Sequence, residues 1–240
     1  MMNRYALIAG AVVFIAGCNS SPPPLSAENT VGGANVISTA HVPLSKEATS
    51  LSLDLGKKAQ PGQVVIADVV TYGGPKVTIT PPTDWTLIRD DSSETTRQSL
   101  YWHALAANDA STPTWQFSKP VDAQGAIVLL DNVAQGSPID ISSGATGNGG
   151  TVTAKSIATT ANGDLILSFF ASDFHLAGLK PSIPGDAATL LDEERVPNEI
   201  WVLASYQDQL GLSEDQVSSA AQLFHWTAAQ VAIKKGTANS

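Results

Sequence analysis

Cysteine occurs once in 240 residues, so no disulfide can close within the chain and its stability must rest on packing. Cationic side chains are also scarce. Lys and Arg together number 13 against 22 Asp and Glu, and the net charge of −9 repels a phosphate backbone, which excludes nucleic acid as a partner. No basic run is long enough to hold an anionic membrane surface. The four histidines, His41, His103, His175 and His225, are scattered, with no His-x-x-x-His pair and no acid at ligand spacing, so the three or four converging ligands of a zinc site are missing. Neither a Gly-x-Ser-x-Gly elbow nor a Gly-x-x-x-x-Gly-Lys loop occurs, which leaves hydrolase and nucleotide readings without a motif. What remains is a chain with 43% apolar residues, long enough to bury one large core.

The single cysteine sits at a boundary. Residues 1–17 run from a positive start at Arg4 through an apolar stretch, 6–16, to the small residues Ala16 and Gly17 just before Cys18. This is a secretory signal layout, and the apolar stretch is too short to span a bilayer as a permanent helix. The tetrapeptide Ile15-Ala16-Gly17-Cys18 resembles the lipobox of bacterial lipoproteins. That resemblance implies cleavage before Cys18, diacylglycerol on its sulfur and acylation of its new amino group. It also implies attachment to the cell envelope, with Asn19 and Ser20 favouring the outer membrane. Two or three acyl chains anchor stably, whereas one holds weakly. The stretch NSSPPPLSAENTVGGAN (19–35) has few large apolar residues and three consecutive prolines, so residues 18–35 are expected to be a tether reaching roughly 50 Å when extended.

From residue 36 to 240 the pattern is short apolar or alternating runs between turn signals. QVVIADVV (63–70) ends at YGGP, and KVTIT (76–80) ends at a Pro-Pro pair. The runs at 125–130 and 163–170 repeat the theme, which points to an all-β body, a sandwich or barrel. One window is ambiguous. Ser213 to Gln216 has the form of a capping box followed by Val217, Ala220, Ala221 and Phe224 at helical spacing, while the internal repeat favours a strand there.

That repeat pairs GQVVI (62–66) with GDLIL (163–167), and PTDWTLIRDD (82–91) with PGDAATLLDEE (184–194). LYW (100–102) answers WVL (201–203), and each half, 62–132 and 163–235, closes on an apolar strand. An isolated small sheet leaves one apolar side wet, so two such halves are expected to close as a two-sheet sandwich of about eight strands. The Gly-led opening strand, the PPTDWTL turn (81–87), Tyr101-Trp102 and the AIVLL strand (126–130) resemble a jelly-roll-like β-sandwich module of secreted bacterial and phage-associated proteins. The resemblance covers about 36–235 and implies no defined chemistry. Ala187 and Ala188 depart from it by replacing the turn tryptophan in the second half.

Candidate chemistry is sparse. The carboxylates Asp90, Asp91 and Glu94, and their counterparts Asp192, Glu193 and Glu194, suit a solvated turn, a calcium site or an acid/base pair for glycoside hydrolysis. Alternation puts Tyr101 and His103 on the face opposite Leu100 and Trp102. If that face is outward, Tyr72, Trp85, Tyr101 and His103 form a polar-aromatic ligand-binding patch; otherwise the rings fill the core. The overall expectation is a lipid-anchored, exported sandwich that binds envelope polysaccharide or a surface protein without catalysis and without a required cofactor. The alternatives are a glycan hydrolase and a passive matrix subunit.

Overall fold

The computed structural model describes residues 33–173, 188–195, 198–207, 212–213, 215–219 and 225–236. Cys18, the signal segment, most of the tether, His175 and the turn at 184–187 lie outside the described residues. Ala34 is fully buried and a strand begins at Asn35.

The first half of the chain forms β1 (Asn35–Ser52), β2 (Val64–Thr71), β3 (Ile79–Thr80), β4 (Thr86–Ser92), β5 (Arg97–Ala104) and β6 (Thr114–Asp131). These pair antiparallel in the order β1-β6-β2-β5-β4, with β3 added to β6. The second half forms β7 (Ile139–Asn148), β8 (Thr151–Ala154), β9 (Asp164–Ser172), β10 (Ala188–Arg195), β11 (Asn198–Gln207), β12 (Gln216–Ser219) and β13 (His225–Ile233). Its sheet, read from β7, runs β7-β13-β9-β11-β10. The two orders match strand for strand, so the halves share one topology beginning at Asn35 and Ile139, well before the repeat is visible in sequence. Gly62 and Gly163 precede β2 and β9 with φ of +88° and +76°, a conformation that glycine adopts without a Cβ penalty, which is why the repeat is anchored on glycine.

The sheets pack face to face as a two-sheet β-sandwich. Val64, Ile66 and Leu100 of one meet Leu167, Phe169 and Val231 of the other in a single inter-sheet core. The Thr39 hydroxyl of β1 donates to the Leu190 carbonyl of β10 at 3.3 Å. On the other side, Arg89 Nη1 of β4 donates to the Ser142 hydroxyl of β7 at 3.3 Å. One side-chain bond thus ties the edge strands of the two sheets together on each side. Each sheet is drawn from one half of the chain, which establishes the sandwich but not a jelly-roll connectivity.

Thirteen strands among the described residues replace the expected eight or so, because the outer faces are covered too. β1 carries four register shifts against β6, and the region contains Pro43, Pro120 and Glu47 at φ +46°; bulges and prolines bend strands. Past the bend, the ends of β1 and β6 together with β3 fold over the outer face of β2 and β5, packing Leu51, Trp115 and Ile79 against Val65, Ala67 and Tyr101. In the second half the separate ribbon β8–β12 does the same, placing Val152 and Ala154 over Phe170 and Trp226. All eight residues of β2 and all nine of β9 are therefore buried.

The ambiguous window is strand over β12, and residues 220–224 lie outside the described set. The reason is visible in its polar side chains. Ser213 donates to Gln230 Oε1 at 2.5 Å and accepts the Ile157 amide at 2.9 Å, while Asp215 accepts the Ser156 amide at 2.7 Å. Both groups are spent on a neighbouring segment instead of capping a helix.

Candidate functional site

Two of the four sequence-selected residues meet at one end of the first sheet. The turn after Pro81 brings the Trp85 amide to the Pro82 carbonyl at 3.4 Å and holds Asp84 at φ +68°, a strained setting for a residue with a Cβ. That strain aims the Asp84 carbonyl at His103 Nδ1, 3.1 Å away, while His103 Nε2 meets the Asp109 carboxylate at 2.7 Å. The Trp85 ring stacks on the imidazole at 5.2 Å and 23°, and its neighbour Trp115 stands edge-on at 4.9 Å. Burial pushes Asp109 upward, but the Ala106 amide, donating at 2.6 Å, and His103 outweigh it and hold the carboxyl below the usual range. Leu87, two residues beyond the indole, is 51% exposed and is one of two large apolar side chains exposed among the described residues.

The other two do not join the patch. Tyr101 shares the face of His103, as alternation requires, yet it is only 4% exposed because Trp115 and Leu51 lie over it. The outward-face condition fails there for a structural reason: the long strands curl back over that sheet. Tyr72 follows Thr71, which pairs with Arg97, whereas His103 pairs with Val65. At about 3.3 Å per residue this sets Tyr72 roughly 20 Å from the patch. Its ring packs on the inter-sheet core, and its hydroxyl accepts from Gln124 Nε2. Sequence reasoning missed Leu87 and Asp109 as parts of the site, since neither stands in a spacing that points to a ligand.

Asp90 and Asp91 are neutralised locally, whereas Glu94 is exposed, with His225 Nε2 3.7 Å away. Arg97 donates from Nε at 2.8 Å and Nη2 at 2.5 Å to Asp90, which also accepts from Ser99 at 2.8 Å. Burial raises Asp90, but these bonds and the Arg97 charge prevail and lower it. Asp91 is bound by Arg89 from Nε at 2.5 Å and Nη2 at 2.8 Å. Two adjacent carboxylates on opposite faces, each held by its own arginine, are not disposed to converge on calcium or across a glycosidic bond. The side chains of Asp192, Glu193 and Glu194 lie outside the described residues. Among the described residues, no group of three or more His, Cys, Asp or Glu is arranged to hold a metal.

Two buried carboxyls behave differently, and only one had a sequence signal, the lone acid inside VVIADVV. Asp68 faces the inter-sheet core, fully buried, with Gln98 Nε2 donating to Oδ2 at 2.9 Å. Burial, opposed in part by that bond, pushes it up to about 7. Asp164, at the start of β9, is raised to about 7 by burial and then by the charge and hydrogen bond of Asp140.

Fold and site together define a two-sheet β-sandwich with covered outer faces and a small aromatic-acidic patch at one end. Compared with family models, curated proteins and solved structures, the chain matches none of them.

Proposed function

We propose that the protein is a lipoprotein of the cell envelope, moored through acylated Cys18, whose sandwich binds an envelope polysaccharide or a surface protein without catalysis. The tether at 18–35 holds the body off the lipid surface, and Asn19 and Ser20 favour the outer membrane. The observation that supports binding is the patch around Trp85. An indole immobilised by His103 and Trp115 has little rotamer freedom left to lose, and it lies beside exposed Leu87 and the carboxylate of Asp109. Rigid rings edged by carboxylates suit sugars, whose C–H faces stack on aromatics while their hydroxyls donate to acids.

The chain with Cys18→Ala, made without its acyl chains, tests the site on immobilised envelope polysaccharide and whole cells. Trp85→Ala and Leu87→Asp are each expected to weaken binding about tenfold or more, as for anchors at the centre of an interface. Tyr72→Phe, at the far end of the strand, is expected to leave it unchanged. Equal binding by all three variants overturns the assignment. The anchor is tested separately by radiolabelled palmitate, which should enter the full chain and be lost in Cys18→Ala; an unlabelled wild type means that the anchor is absent.

A further inference from the structure

The loop from β8 to β9 is tied down by a carboxyl pair that the binding patch does not use. Asp140, in β7, accepts the Thr160 amide at Oδ2, 2.6 Å, and the Thr160 hydroxyl at Oδ1. Asp164 lies within hydrogen-bonding reach of Asp140, is 0% exposed, and receives no donor from the protein on either oxygen. Two ionised carboxylates cannot rest in contact without a positive charge or a proton between them. Both Asp140 oxygens are already acceptors, so Asp140 is the natural acceptor and Asp164 the proton carrier.

We propose that Asp164 and Asp140 share one proton and act as a pH-operated clasp that closes the 155–163 segment onto the second sheet while the proton is held and loosens it once the proton is lost. The charged groups facing the pair are Lys234 and Lys235, at the end of β13, whose fields oppose the rise at Asp164. Lys234 Nζ is engaged by the Ser137 hydroxyl at 3.3 Å, and Lys235 stands over Gly163. Neither forms an ion pair with the carboxyls within 4 Å. From β11 the register partner of Asp164 is Gln207, which carries no charge. The lysines soften the repulsion without replacing the proton. The upward shift of Asp164 and the downward shift of Asp140 agree with this division of roles.

The segment matters because it carries Ile157, which covers Ile166 and Ala232, and because its amide and carbonyl bond Ser213 beside the β8–β12 ribbon. Loss of the proton sets two contacting carboxylates against each other where this cover is attached. The fold-level consequence is local opening, a low-energy event compared with unfolding.

Amide hydrogen exchange of the whole chain at pH 6.0 and 8.5, corrected for intrinsic rates, tests this. Protection of 155–163 is expected to fall about tenfold at the higher pH, through a local opening that stays well below the free energy at which β5 and β6 exchange. Asp164→Asn supplies a permanent donor to Asp140 and should hold the segment closed at both pH values. Asp164→Ser removes the same carboxyl while leaving both Asp140 oxygens to hold Thr160, and it should also abolish the pH response, which keeps the test open if the first variant folds poorly. Unchanged protection in the wild type, or a response that survives in both variants, overturns the clasp. Restoration of protection at pH 8.5 by calcium in the wild type identifies a cation in place of the shared proton and overturns it as well.

Discussion

Phe169→Ala and Phe170→Ala are each expected to destabilise the protein by about 3–5 kcal/mol, although successive residues of a strand point to opposite faces of a sheet. Both rings are 0% exposed. Phe169 enters the inter-sheet core, and Phe170 lies on the other side beneath Val152 and beside Trp226. In a sandwich with one wet face per sheet, only the inward ring would carry such a cost. Urea unfolding of the two variants measures both. With total stabilities of roughly 5–15 kcal/mol usual for a domain, either variant should lose a large share of its stability and the double variant should not fold. A Phe170→Ala cost below about 1 kcal/mol would mean that the ribbon β8–β12 does not pack on its sheet.

The same pair of residues shows what the sequence displays and what it hides. VVIADVV and DLILSFFAS are nearly continuous apolar runs, and continuous runs belong to strands buried on both faces. Their strand character is therefore plain, and the matching pair of runs reveals two similar halves. What covers the outer faces is not legible, because β3 is two residues long and β12 offers only Gln-Val-Ser-Ser, whose pairing with Thr151–Ala154 is decided by tertiary contact and not by local preference. Alternation likewise puts Tyr101 and His103 on one face but cannot tell that Trp115 returns to cover the tyrosine. Nor does a period of two say at which end of a strand a residue lies. Tyr72 and Trp85 both stand on loops beside strands in the sequence, and antiparallel register places them at opposite ends. Asp109 escaped notice because its partner, His103, reaches it through a turn whose geometry depends on the fold.

Asp68→Asn is expected to raise the unfolding free energy by about 2–4 kcal/mol at pH 8 and to leave it nearly unchanged at pH 4. The sign follows from the carboxyl's position between Leu100 and Ala126 in register, facing the core. Burial moves its pKa from 3.8 to about 7, so the folded state holds the proton more tightly than the unfolded chain. Below pH 4 both states are protonated and the stability contributed by the bound proton is present in full. Between 4 and 7 the unfolded chain ionises while the folded one does not, and that stability drains away; above 7 the loss is complete, roughly 4 kcal/mol for three units. Asp164 loses stability over the same window. Asp90, Asp109, Asp140 and Asp215, all lowered, lose theirs only as the pH falls through the acid range. Thermal unfolding should accordingly show a maximum near pH 4–5, with a decline toward pH 8 that flattens in Asp68→Asn. An unchanged slope in that variant would show that Asp68 does not hold its proton. The leucine variant separates charge from hydrogen bonding. Asp68 Oδ1 and Gln98 Oε1 are both buried without a partner, so an amide at 68 can accept from Gln98 Nε2 and offer an N–H to its oxygen. Leucine removes the charge but strands the Gln98 amide at a cost of about 1–3 kcal/mol, and Asp68→Leu should stabilise less than Asp68→Asn at pH 8 by that margin.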